Sequence, residues 1–200
     1  AIETVLRSEA LTEAARRDAS ATRARGALWG VPIVIKANTS VKGHVTTAGW
    51  DGFTRAGHEL IAPQDATIVT RFRAAGAIIV GHANMPDLAN SDTNRGSSFG
   101  RTGNAYDVRF SPGGSSGGTV TAVAANMAVL GNGTDTGNSI RMPAATSALK
   151  IHLGESSLEP GNTADALLVD EHLRHRADRR PALLVEGLAL ILFVDPDFLE

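Results

Sequence analysis

DATIVTRFRAAGAIIVG, residues 65–81, decides the fold class. In its first part Ala66, Val69, Phe72 and Ala75 recur at helical spacing, one apolar face among charged neighbours, which predicts a helix over 65–75. Gly76 stops that helix. AIIVG, residues 77–81, then reads as a short buried strand. Upstream, GVPIVIKA, residues 30–37, is a second β-branched run introduced by a Gly and a Pro. Strand, helix and strand in that order predict a parallel α/β layer arrangement.

Working outward, residues 2–25 read as one helix, with Ile2, Val5, Leu6, Leu11, Ala14 and Ala15 at helical spacings and Gly26 as its stop. A Gly- and Thr-rich loop covers 44–57. Residues 84–116 are a long polar stretch, and loops of that length in compact domains are usually functional or disordered. Glycine-rich turns flank a helical segment at 119–126 and a short apolar stretch at 127–130. After Ala148 the character changes. Residues 155–180 are polar and charged, with helix expected over 163–175, and 183–194 are strongly apolar.

Composition removes several function classes. Net charge is -2 and the pI is near 6.3, so no basic excess exists to neutralise phosphates, and no nucleic-acid partner is expected. Hydrophobic residues make up 42%, enough for a core. The chain contains no cysteine, which rules out disulfides and thiolate chemistry. No apolar run is long enough to span a bilayer, and the amphipathic N-terminus lacks the apolar core of a signal peptide. The expected setting is cytoplasmic, without a membrane partner. Asn38 and Asn132 fit the N-glycosylation pattern and are taken as chance matches. The histidines form no HExxH pair; His172 and His175 are three apart but lack a third ligand, so no metal is expected.

Three elements can carry chemistry. Lys36 ends the apolar strand of residues 30–37. A lysine desolvated there has its pKa lowered from about 10.4 and can serve as a general base; otherwise it snorkels to the surface. PGGSSGG, residues 112–118, is a flexible turn running into a helix start, where free N–H groups can orient a hydroxyl or bind an anion. It also fits the G-x-S-x-G elbow, which would make Ser116 a nucleophile, but the preceding NAYDVRFSP is a poor strand. GTDTGNSIRMPA, residues 133–144, places Ser139 after small residues whose N–H groups can converge as an oxyanion hole. Ser147 and Lys150 fit S-x-x-K, but the companion elements of that hydrolase class are absent.

In this order, GVPIVIK (30–36), GHANMPDLA (81–89) and NAYDVRFSPGGSSGG continuing into GTDTGNSIRMPA resemble the amidase signature family of hydrolases. The resemblance implies an α/β fold, a mixed, mostly parallel sheet flanked by helices, with Lys36 as base, Ser115 as a bridging serine in a cis peptide, and Ser139 as nucleophile. It implies oxyanion N–H groups at Thr136, Gly137, Asn138 and Ser139, with Ser116, Asp135 and Arg141 in support. The implied activity is amide hydrolysis through an acyl-enzyme on a small-molecule amide, with no cofactor; a homo-oligomer is compatible with it. Alternatives are a catalytically inactive truncated homologue, or an amidotransferase A-type subunit that acts on charged tRNA in a complex. The sequence departs from the family pattern at Ala37, where an acidic residue is usual, and at Asn138, where a glycine is usual; an Asn can adopt left-handed dihedrals more easily than most residues, so the turn is expected to survive. The resemblance covers about Leu28 to Ala145, and more loosely the N-terminal helix; residues 1–148 are read as an incomplete catalytic segment and 149–200 as an atypical tail of unassigned role.

Overall fold

A computed structural model describes residues 1–20 and 26–147 and, beyond them, the backbone of three strands at 151–152, 164–169 and 191–192. The elements are β1 (Ile2–Val5), α1 (Arg7–Asp18), β2 (Pro32–Lys36), α2 (Thr67–Ala75), β3 (Ile78–Ala83), β4 (Arg95–Gly96), β5 (Gly100–Arg101), α3 (Gly117–Ala124), β6 (Leu130–Asp135), α4 (Arg141–Thr146), β7 (Ile151–His152), β8 (Ala164–Val169) and β9 (Ile191–Leu192). The main sheet runs β1-β3-β2-β6-β8, with β7 and β9 each pairing with β8. Its centre, β3-β2-β6, is parallel, and β1 and β8 run antiparallel to their neighbours on either side. This is the mixed α/β sheet flanked by helices expected from the sequence.

The β-branched run of β2 follows from its place. Ile33, Val34, Ile35 and Lys36 are all fully buried, as a strand covered on both faces must be. Side chains alternate across it. Ile33 and Ile35 pack with Leu6, Val41, Ile68, Val69 and Phe72 on the side of α2. Val34 packs with Ala83, Ala122 and Ala128 on the side of α3. Gly76 closes α2 in the left-handed region at φ 95°, and a Cβ there would lie 2.8 Å from Trp29 Cα, so both dihedral and space demand glycine.

Several expectations are corrected. Residues 2–25 are not one helix. Ile2–Val5 form β1, paired with β3 in the register Ile2↔Ala83, Thr4↔His82 and Val5↔Gly81, and α1 ends at Asp18. The spacing of Ile2, Val5 and Leu6 suits either state, and the open edge of β3 offers a ladder that local propensity does not foresee. Residues 21–25 lie outside the described residues. The expected helix over 163–175 is also overturned in its described part: Ala164–Val169 form β8, whose register with β6 runs from Leu130↔Val169 to Asp135↔Ala164. There the backbone groups on the far edge of β6 find partners. Finally, the stretch after Leu130, read as a turn, is strand as far as Asp135. Its glycines obscure it, yet packing requires them: a Cβ on Gly131 would lie 2.6 Å from Val34 Cγ2, and one on Gly133 2.6 Å from Ile140 Cδ1. Among the described residues no helix is long and apolar enough to cross a membrane.

Candidate active site

Lys36 is the last residue of β2 and shares the face of Val34, towards α3. Its side chain is fully buried. Nζ lies 2.7 Å from Ser115 Oγ, 2.9 Å from Ser116 Oγ and 2.8 Å from Thr134 Oγ1. Both serines are also fully buried, at the turn that opens α3, and the Gly114–Ser115 peptide is cis. Ser116 Oγ lies 3.3 Å from the Thr134 carbonyl and donates to it, which leaves its lone pairs to face Nζ. The lysine does not snorkel to solvent: it ends in a buried cage of three hydroxyls from two further elements.

Ser139 sits half-buried on the turn between β6 and α4. Its carbonyl accepts the Ser116 N–H at 2.9 Å, which ties the two serine-bearing turns together. Its hydroxyl makes no hydrogen bond to Ser115 among the described residues. Thr136, Gly137 and Asn138 are exposed, and the N–H groups of residues 136–139 donate no hydrogen bond within the described chain. Asn138 keeps a negative φ, so an Asn in place of glycine needs no left-handed conformation in this turn.

Asp135 and Arg141 brace that turn. Asp135 Oδ2 accepts from the Ile140 N–H at 3.0 Å and the Arg141 N–H at 3.1 Å, and Arg141 Nη2 donates to Oδ1 at 3.0 Å. The Arg141 guanidinium also donates to the Gly137 carbonyl. Burial opposes the charged carboxylate, but the guanidinium and the two N–H groups outweigh it and hold the Asp135 pKa below the usual range.

Two residues of the cluster escaped sequence reasoning. Thr134 and Asn132 stand two apart in β6; Thr134 contacts Nζ, and Asn132 accepts the Lys36 main-chain N–H at 2.8 Å. The two-residue period of a strand is the signal that would have found them, but β6 was not read as strand. Asn132 is fully buried, with no room for a glycan in the folded chain. His82 is buried too, but it pairs in register with Ile35 and lies on the face away from Lys36. Among the described residues no group of His, Cys, Asp and Glu is placed to hold a metal ion; His172 and His175 lie outside them.

Fold and cluster together define a class: a mixed α/β domain built around a buried lysine and paired serines. The Amidase family model matches residues 1–150, and the chain belongs to this family. It is 48% identical over 131 residues to the A-type subunit of glutamyl-tRNA(Gln) amidotransferase from Symbiobacterium thermophilum, covering 66% of this chain and 26% of that protein. Among solved structures, peptide amidase from Stenotrophomonas maltophilia superposes with a TM-score of 0.71 at 32% identity, covering 84% of this chain and 36% of that one. A 6-aminohexanoate cyclic dimer hydrolase superposes with a TM-score of 0.71 at 27% identity, covering 83% and 35%. The chain thus spans between about a quarter and just over a third of the length of these relatives.

Proposed function

We propose that the protein is an amide-bond hydrolase that passes the acyl group of a linear carboxylic amide to water through Lys36, Ser115 and Ser139. The observation that carries this reading is the buried 2.7 Å contact between Lys36 Nζ and Ser115 Oγ. Burial disfavours an ammonium. Nζ lies within 2.9 Å of the Ser115, Ser116 and Thr134 hydroxyls, and in the neutral form its lone pair can take the Ser115 proton.

In this mechanism Lys36 takes the Ser115 proton as Ser115 takes the proton of Ser139. Ser139 Oγ then forms a bond to the amide carbonyl carbon. The N–H groups of Thr136, Gly137, Asn138 and Ser139 are free to receive the oxyanion, and one such donor is worth about 3 kcal/mol in the transition state. The relay returns its proton to the leaving nitrogen, the C–N bond breaks, and water hydrolyses the acyl ester on Ser139. The Ser139–Ser115 hydrogen bond forms when substrate binds, since catalytic contacts often tighten only in the complex. Ser116 supports Lys36, and Asp135 with Arg141 holds the oxyanion turn.

A fluorophosphonate probe tests the reading: it should label Ser139, and Ser139→Ala should abolish labelling. Folded protein that takes no label would refute catalysis by this chain and favour the inactive homologue. A second reading, an amidotransferase A-type subunit, is favoured by the 48% identity to the Symbiobacterium protein. It predicts labelling too, but hydrolysis of simple amides only when its partners in the complex are added.

A further inference from the structure

We propose that Asn132 is a positioning residue for Lys36, holding the lysine main chain so that Nζ meets its hydroxyls; this rests on the relay proposed above. The starting point is a gap in the sheet. β2 and β6 pair in parallel at Ile33↔Leu130 and Val34↔Gly131, and the ladder goes no further. N–H groups alternate sides along a strand. The Ala37 N–H donates to the Ala83 carbonyl on the β3 side, so the Lys36 N–H faces β6. No backbone carbonyl of β6 takes it. The Asn132 side chain does, with Oδ1 at 2.8 Å.

The same side chain holds the chain beyond the lysine. Asn132 Nδ2 donates to Thr39 Oγ1 at 3.0 Å, and the Thr39 N–H closes back on the Lys36 carbonyl at 2.8 Å. One planar amide thereby grips both ends of the turn that starts at Lys36. Its own main chain reaches the third partner: the Asn132 carbonyl accepts from Thr119 Oγ1 at 3.0 Å, on the helix that begins after Ser116. Lysine strand, serine helix and β6 meet at this residue, and Thr134, two positions on, adds a hydroxyl to the cage around Nζ.

The chemistry explains why asparagine fits. The site needs one acceptor and one donor in a fixed fork, fully buried, with no net charge. Leucine offers neither group. Aspartate keeps the acceptor but brings a charge close to Lys36. A lysine side chain is long, and its contacts of 2.7–2.9 Å tolerate little drift of the Cα.

The experiment uses the full chain with Asn132→Leu, Asn132→Asp, Lys36→Met and the double variant Asn132→Leu with Lys36→Met. Two readouts are needed: amide hydrogen exchange at Lys36 by NMR, and the rate of fluorophosphonate labelling against pH. In Asn132→Leu the Lys36 amide should exchange about tenfold faster, as befits one lost hydrogen bond, while the Val34 and Ile35 amides stay protected. Labelling should slow by about tenfold or more. In the Lys36→Met background the same change should cost nothing further. Asn132→Asp should restore amide protection and move the labelling profile to higher pH, because a nearby carboxylate favours the ammonium form of Lys36. An unchanged Lys36 amide in Asn132→Leu overturns the proposal. So does a loss of labelling of equal size with and without the lysine, which would mark a merely structural role. If the wild-type chain takes no label, the hydrolase reading fails, and Lys36 amide exchange alone decides whether Asn132 holds the lysine.

Discussion

Acid should destabilise this fold through His82, and replacing that residue should remove the effect. The imidazole is fully buried on β3, and neither ring nitrogen has a hydrogen-bond partner among the described residues. Burial, with a smaller contribution from His44, pushes its pKa from 6.5 down to about 4. In the unfolded chain the same group regains its ordinary value. Between those two pH values the unfolded state therefore binds more protons than the folded one, and stability falls as the pH is lowered. The stabilisation is complete above about pH 6.5, declines through the window, and has no further to fall below about pH 4. At about 1.4 kcal/mol per pH unit the window is worth about 3 kcal/mol, a large part of a small domain's stability. His82→Leu fills similar space and abandons no hydrogen bond, so at pH 7 it should be neutral or slightly stabilising. Urea unfolding of both proteins at pH 7, 6, 5 and 4 checks this. Wild type should lose about 3 kcal/mol more than His82→Leu across the series. Parallel acid limbs in the two proteins would refute the assignment. Asp135 does not mimic the effect: its lowered carboxyl pKa is a stabilisation lost only as the pH falls below the ordinary aspartate value of 3.8.

Other predictions follow from the site and its supports. Lys36→Ala should remove most amide hydrolysis at neutral pH, by about a hundredfold or more if the lysine is the general base, as an amide-release assay would show; near-full activity would make Lys36 a structural lysine only. Asp135→Ala strands the Ile140 and Arg141 N–H groups, so the melting temperature should drop by an amount corresponding to about 1–3 kcal/mol, and labelling of Ser139 should slow with it. Gly76→Ala should destabilise by more than about 1 kcal/mol in chemical denaturation, because the position combines φ 95° with a 2.8 Å approach to Trp29 Cα. An unchanged midpoint would mean that the α2 terminus relaxes without cost.

What could be read from sequence was what local chemistry encodes. β2, α2 and β3 were legible because a strand buried on both faces needs an unbroken apolar run, a helix against a sheet needs one apolar face, and a left-handed cap needs glycine. Lys36, Ser115 and Ser139 were singled out by the family resemblance of their three motifs; their local chemistry alone left Lys36 between a buried base and a snorkelling side chain, and Ser139 on a turn that small residues make anyway. The rest is decided by partners distant in the chain. Ile2–Val5 became a strand because β3 had an open edge. Gly131 and Gly133 belong to a strand because Val34 and Ile140 leave no room for a Cβ, which no local pattern announces. Thr134 and Asn132 joined the lysine only once β6 lay beside β2. Sequence alone determined where a lysine ends an apolar strand and where serines stand on glycine-rich turns; tertiary structure decided that the Lys36 amine is buried among hydroxyls rather than hydrated, because only packing from both faces of the sheet removes the water.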